Sequence, residues 1–356
     1  MKKNFGNRLT WADAAKGLAM LIIMWGHVQH PSPIKLWLTS FHVPLFLVLS
    51  GILLSRKSTV GGGKYLINKL IYPYLTFSFI AITCHFLNCT FWSGMTAGME
   101  SIVTNVYKTI TGYGIYAIWF IPSYFIACYI FSITFNISIK WQICLLLLWA
   151  FIGMVGSELL VWLEQQIRNQ YCYDAAYYPI AALFRGIACT YYIVLGRLVL
   201  EAYKIIKKVR FLRLYLLLVC LPSLLVSVAL SQNLHGTNFS LLKLGEQPYM
   251  NFVCGTFGSL WVIILFYLSN ALYKFPLLQW VGRKSLIIMG THMSLLLTAF
   301  VPQILGKIVQ IPDDATTDYY LFGLACVLVM LLIEIPIIKV FDGPLKLFVS
   351  KRIINQ

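Results

Sequence analysis

The sequence predicts an all-α, polytopic membrane protein with about ten transmembrane helices, and three observations lead there. Hydrophobic residues make up 59% of the chain and charged residues only 11%, whereas soluble domains are roughly one-quarter charged. Apolar runs recur at the length of a bilayer crossing, about 20 residues, from Trp11 almost to the carboxyl end. The 28 Lys and Arg residues, set against 12 Asp and Glu, collect in alternate loops, as the positive-inside rule requires. A net charge of +16 also suits a nucleic-acid binder, but such proteins gather their charge on one surface. The expected partner is therefore a lipid bilayer and no nucleic acid. Length alone would permit two or three soluble domains. The apolar runs leave room for only one membrane domain, 1–356, with short tails at 1–10 and 341–356.

Taken in order, the spans are bounded by polar punctuation. The first, 11–29, has GLAMLIIMWG as its continuous apolar core. The amino-terminal MKKNFGNR resembles the charged start of a signal peptide, but no small-residue cleavage site follows, so this helix is expected to be retained. The second span, 36–55, follows the turn HPSP and contains Pro44, Ser50 and Gly51, features tolerated where helices enclose a cavity. Ser58–Lys64, STVGGGK, reads as a flexible turn, because GGGK lacks the spacing and the following Ser or Thr of a phosphate-binding loop. The third span is 66–88. Residues 91–114 are less apolar and Gly-rich, and read as an outer loop or an interfacial helix. The fourth and fifth spans are 116–136 and 141–161, the latter shortened by Glu158 and Glu164. The sixth, 177–199, carries Arg185, and the seventh, 211–231, follows a basic run. The eighth is 249–272. The ninth, 284–305, starts at Arg283 and Lys284, and the tenth, 318–340, follows Asp313, Asp314 and Asp318.

With the amino terminus cytoplasmic, the cytoplasmic segments collect Lys2, Lys3 and Arg8, then Arg56 to Lys69, Lys140, Arg197 to Arg213, Lys274 to Lys284, and Lys339 to Arg352. The opposite loops hold only Lys35, Lys108, Arg168, Lys243 and Lys307 among the basic residues, together with most of the loop acids. An even number of spans with both termini cytoplasmic in the cell membrane follows. The nine cysteines show no CxxC and no Cys/His metal spacing, so no metal is expected. Cys128, Cys144, Cys189, Cys220, Cys254 and Cys326 read as small core residues, and Cys89 and Cys172 could meet in an outer loop. Most tryptophans fall near span ends, as interface belts do.

Ionisable residues inside spans are costly and are functional candidates by default. Asp13, Lys16 and His27 share one helix. Lys16 and His27 are eleven residues apart, nearly in phase at about 100° per residue and separated by roughly 16 Å along the axis, with Asp13 one turn from Lys16. Lys16 thus lies in the inner half and His27 in the outer half. The plainer alternative is that Lys16 snorkels and pairs with Asp13 while His27 hydrogen-bonds at the interface. His42 lies near the outer end of the second span, as a pocket residue or an interfacial hydrogen-bonder. Arg185 sits mid-span, and Glu334 in LLIEIP is a possible ion-pair counterpart to it or to Lys16. His292 lies eight residues beyond Lys284, roughly 12 Å into the bilayer, where an imidazole is a base or a ligand. Trp119, in IWFIPSYF, is a candidate pocket wall.

These residues carry a resemblance. The sequence resembles the acyltransferase 3 family of integral membrane acyltransferases, and within it the fucose 4-O-acetylase-like branch. The features are Lys16 and His27 with ten residues between them, FHVPLFLVLSG in the second span, IWF at 118–120, GRKSLIIMGTH at 282–292 and IEIP at 333–336. It covers the chain end to end. Lys at position 16 departs from the commoner Arg and replaces a bidentate fork with a point charge. A further departure is that no appended soluble domain is seen.

The resemblance implies transfer of an acyl group, usually acetyl from acetyl-CoA, to a hydroxyl of a cell-surface carbohydrate or its precursor. His27 would act as general base or transient acyl acceptor, with Asp13, His292 and Glu334 in the catalytic set. Lys16 and Arg185 would meet the negative charge of the donor, and His42 and Trp119 would line the acceptor pocket. Two other classes account for the same composition. One is a transporter or flippase of a glycan or lipid-linked precursor, which internal inverted repeats would favour, though none is visible. The other is a non-catalytic partner of a polysaccharide synthase.

Overall fold

The computed structural model describes residues 9–29, 32–56, 63–167, 169–309, 311 and 316–346. The basic amino-terminal tail, the first two residues of HPSP, most of STVGGGK, Arg168, Asp313, Asp314 and the carboxyl-terminal Lys351 and Arg352 lie outside the described residues. Among those described there is no strand, only an isolated antiparallel bridge between Asn238 and Lys243.

The chain opens with α1 (Thr10–Val28), α2 (Pro33–Ser55) and α3 (Gly63–Ser93). α4 (Met95–Ile110) follows, then a 3-10 turn at Tyr116–Trp119 that runs into α5 (Phe120–Thr134). α6 (Ile139–Gln166), α7 (Gln170–Ile206), α8 (Leu212–Ser231) and α9 (Tyr249–Leu268) come next. A short α10 (Asn270–Lys274) leads to α11 (Pro276–Thr291), α12 (Leu297–Ile308) and α13 (Thr317–Asp342). Eight of the described helices are long and apolar enough to cross a membrane: α2, α3 from Lys69, the turn with α5, α6, α7, α8, α9 and α13. The chain is an all-α polytopic membrane protein.

Two expectations change, and of the two readings of 91–114 the helix is the one found. The expected ten spans reduce to eight by length and composition, because α1 carries Asp13 and Lys16 and because the span expected at 284–305 is not continuous. It breaks at His292, where the chain turns through 292–296 with Leu296 left-handed at φ 58° and resumes as α12. Local competition for backbone carbonyls explains the break: Thr291 Oγ1 and His292 Nδ1 both bond back to the preceding turn, at Ile287 (2.8 Å) and Ile288 (2.7 Å), a pattern that bends helices. Residues 95–110 form a helix that folds back along α3. Gly98 faces Thr90 and Phe86, while eleven residues on, the Thr109 carbonyl accepts from Tyr74 Oη at 2.7 Å. Cys89 and Cys172 are both free thiols, and Cys144 lies on an exposed face.

The core is organised by close helix crossings. α1 is buried along most of its length and packs against α11, α2, α9 and α13. At its crossing with α11 the backbones touch. A Cβ on Gly17 would stand 1.9 Å from the Leu278 carbonyl oxygen, and one on Gly282 would stand 1.8 Å from that of Asp13. Small residues permit this approach in membrane helices, where dispersion and hydrogen bonding replace the hydrophobic drive. We expect Gly282→Ala to force α1 and α11 apart and to destabilise the protein by about 1–3 kcal/mol. The check is the thermal unfolding midpoint in detergent, which should fall; an unchanged midpoint would show that the crossing yields freely.

Candidate active site

The α1–α11 crossing sets the site. His27 lies ten residues beyond Gly17 and His292 ten beyond Gly282, so two helices in register at the glycines bring both imidazoles to one level. Their ring centroids are 5.5 Å apart, with the planes tilted by 41°. His27 is exposed, and the surface it exposes lies on the wall of a cavity of ≈ 450 Å³, within the range of small-molecule sites. Neither of its ring nitrogens has a hydrogen-bond partner among the described residues, which leaves them available to a ligand.

His292 is the complement. It is 0% exposed, and its Nδ1 lies 2.7 Å from the Ile288 carbonyl oxygen. A carbonyl only accepts, so Nδ1 carries the proton and Nε2 the lone pair. That Nε2 is buried without a partner among the described residues, beside His27. The adjacent Thr291 Oγ1 lies 2.8 Å from both oxygens of the Glu334 carboxyl, so its one hydroxyl proton is shared between that carboxyl and the Ile287 carbonyl. Glu334 is also 0% exposed, and this bond ties α13 to the end of α11 just before the break. Glu334 is therefore not the counterpart of Arg185.

The rest of the cavity wall comes from α2, the Tyr116–Trp119 turn, α7, the 232–248 loop, and the adjoining ends of α9 and α11. α2 is set by Ser32, whose hydroxyl accepts from the Lys35 N–H at 3.2 Å, and by Pro33 in the first turn. It presents Lys35, Thr39 and His42 to the cavity, one below the other. The 232–248 loop folds inward instead of running over the surface. Tyr177 Oη donates to Leu241 O at 2.7 Å and Asn251 Nδ2 to Leu244 O at 2.7 Å, while Ser157 Oγ accepts from Leu244 N at 3.2 Å. Buried backbone needs such partners, and these place Asn238, Phe239 and Ser240 on the wall.

Arg185, 0% exposed, is held by neutral groups. Its Nε donates to Ser123 Oγ at 2.8 Å, one terminal nitrogen to Tyr113 O at 2.6 Å, and the other to Ser240 O. The guanidinium also stacks on Trp119, 4.7 Å from the ring centroid. None of these partners is acidic.

The structure thus brings together His27, His42 and Trp119 on one cavity wall, with His292 beside His27 and Arg185 behind Trp119. Asp13 and Lys16 sit lower on α1 and line neither this cavity nor a second one beside it. Lys35 and Asn251 were missed as wall residues. The spacing Lys35, Thr39, His42 puts three polar groups on one helical face and could have revealed Lys35; nothing periodic marks the 232–248 loop. No group of three or more His, Cys, Asp or Glu that could hold a metal occurs among the described residues.

A membrane helix bundle with His27 on a cavity wall and a second imidazole packed beside it narrows the chemistry, and comparison with known families decides it. The Acyl_transf_3 model, an acyltransferase domain, matches residues 9–338. The chain belongs to the acyltransferase 3 family. No curated protein and no solved structure matches it. As an acyltransferase 3 protein it is a membrane acyltransferase, and the match runs through every element that lines the cavity. The paired buried groups of this acyltransferase are testable by removal. Thr291→Val strands the Glu334 carboxyl and should lower stability by about 1–3 kcal/mol. Adding Glu334→Leu should recover part of that loss in the thermal midpoint, since no unsatisfied group then remains.

Proposed function

We propose that this acyltransferase is an O-acyltransferase that moves an acyl group, acetyl in the first instance, from acetyl-CoA to a hydroxyl of a cell-surface carbohydrate or its precursor. The observation that carries the reading is the His27 imidazole, without a hydrogen-bond partner among the described residues and set on the wall of a ≈ 450 Å³ cavity beside His292. In this reading His27 takes the proton of the acceptor hydroxyl as the oxygen attacks the thioester carbonyl carbon. The C–S bond breaks, and the imidazolium returns the proton to the departing thiolate, so that atoms and charge balance. His292, fixed by Ile288, is a positioning residue whose Nε2 lone pair meets the imidazolium as it forms, the orienting task a third group performs for a catalytic histidine. Thr291 and Glu334 hold the helix end that carries it.

Polar residues on the wall, Thr39, Ser40, Asn238 and Asn251, suit a hydroxyl-rich acceptor, and Trp119 and Tyr116 suit the apolar face of a sugar ring. Lys16 and Asp13 belong in this reading to the donor's path from the side of the amino terminus. The charge bias of the loops supports a cytoplasmic donor and cytoplasmic termini in the cell membrane. The fucose 4-O-acetylase-like branch remains the resemblance on which the acetyl and carbohydrate assignments rest.

The test combines purified full-length protein supplied with labelled acetyl-CoA and mass analysis of surface glycans from cells carrying each variant. His27→Ala should lower transfer by about 10²–10⁴-fold, the usual contribution of a general base, and the acyl mass should disappear from the glycans. Retained transfer by a His27→Ala protein that elutes as a monodisperse species would remove His27 from the mechanism. Movement of a glycan precursor with no consumption of acyl-CoA would replace the enzyme with a transporter.

A further inference from the structure

Behind the Tyr116–Trp119 turn lies a second cavity of ≈ 280 Å³, lined by His85, Asn105, Lys108, Tyr113 and Arg185 together with the turn and the 232–248 loop. It shares Tyr116, Trp119 and Ser240 with the larger cavity, so the two adjoin at the Tyr116–Trp119 turn. Its charge is one-sided. Two cationic side chains from two helices, Lys108 of α4 and Arg185 of α7, converge on it beside the His85 imidazole of α3, and no carboxylate lines it. Arg185 is fully buried among neutral acceptors. Lys108 has its ammonium over the Tyr178 ring, 5.2 Å from the centroid, and has no ion-pair partner among the described residues. Asp174 is near enough to act on it electrostatically but is engaged by Gln170 Nε2 at 2.9 Å. Burial pulls the Lys108 ammonium below its ordinary lysine value, and Asp174 offsets this only in part.

The wall is built at a cost. Tyr116 is left-handed at φ 49°, a conformation expensive for a bulky residue, and its hydroxyl lies 2.6 Å from His85 Nδ1. Gly114, at φ 80°, packs so closely that a Cβ would stand 2.5 Å from the Trp119 backbone. Strain of this kind persists where the surroundings enforce it, and it clusters at ligand sites.

We infer that the smaller cavity is an anion subsite for the acceptor: it takes a carboxylate or phosphate of an acidic sugar whose hydroxyl reaches His27 past the Tyr116–Trp119 turn. This deepens the carbohydrate acyltransferase reading and rests on it for the identity of the ligand as acceptor. Buried cations without acids bind anions through charge-assisted hydrogen bonds, and a subsite beside the reacting hydroxyl is where such binding would select one acceptor over its neutral counterpart.

Trp119 reports on both cavities, so binding is read from the fluorescence difference between the full-length protein and its Trp119→Phe variant in detergent, without any acyl donor. The probes are glucuronate, inorganic phosphate and neutral glucose. Saturable changes with the two anions, half-saturated at about tenfold or more higher concentration in Lys108→Gln and near wild type in Lys108→Arg, are expected. His85→Gln should weaken the anions in the same direction, which keeps the test decisive if Lys108→Gln does not elute as a folded species. No saturable change with either anion, or equal binding in the charge-neutral variants, would overturn the subsite. Because no donor and no transfer are involved, loss of anion binding leaves the acyltransferase reading standing. Retained transfer by His27→Ala would conversely leave the subsite standing.

Discussion

The contact between the backbones of α1 and α11 is the constraint on which the site depends. At Gly17 and Gly282 there is no room for a Cβ on either side, so the axial register of the two helices is fixed by carbonyl oxygens and not by adaptable side chains. In a bilayer, where lipid tails compete equally with any apolar side chain, such a stop is a firmer reference than a leucine seam. Ten residues beyond it on both helices stand the two imidazoles. A second crossing of the same kind, with Gly51 of α2 and Gly196 of α7 facing each other's backbone, seats the helix that supplies Lys35 and His42. The placement of the paired imidazoles and of the cavity wall therefore rests on glycines deep in the bundle, as preorganised sites built on rigid elements require.

Once the helices are so placed, the low-dielectric interior dictates the rest. A buried carboxyl or guanidinium must be met at each of its polar atoms, and here each is met by a different device. Glu334 is capped by Thr291 on the neighbouring helix, while Arg185 gathers a hydroxyl and two carbonyls from three separate segments. Both arrangements fasten irregular backbone. Thr291 stands at the break before α12, and the carbonyls around Arg185 belong to the loops at 113 and 240. Non-helical backbone at membrane depth is tolerated only where it is buried in protein or lines a cavity, and these loops do both.

Much of this was legible beforehand. The membrane class, the fold and most span positions follow from apolar length and loop charge, and the candidate residues His27, His42, Trp119 and His292 do converge. The signal was strong there because an ionisable group in an apolar run has few reasons to exist. Periodicity fails where backbone departs from it. The break at His292 carries no proline, and only the back-bonding of Thr291 and His292 discloses it. α4 was legible only as one of two readings, because its composition is mixed, and its contacts with α3 are tertiary. The pairing of Glu334 with Thr291 could not be read either, since a carboxylate in a span announces its need for a partner without naming it. Asp13 and Lys16 share a helical face with His27 at a greater depth, as their spacing implies, and the cavity begins above them.

The position of that cavity bears on how two substrates meet. A donor and an acceptor arriving from opposite sides must share a reacting centre while each is recognised elsewhere. On the α1 axis, Lys16 and His27 are roughly 16 Å apart, a span suited to an extended donor arm and too long for a monosaccharide. On the other side of His27, recognition is compact. The polar wall, the Tyr116–Trp119 turn and the basic second cavity lie within adjoining volumes of ≈ 450 and ≈ 280 Å³. The asymmetry follows from the helices themselves: α1 is continuous and can only guide a chain along its length, whereas the 111–119 and 232–248 loops are free of helical regularity and can close around a small polar ring. On the proposed function, acceptor choice then resides in the two loops, and donor geometry in the straight helix between Lys16 and His27. Change in acceptor specificity needs no change in the pair of helices that sets the chemistry.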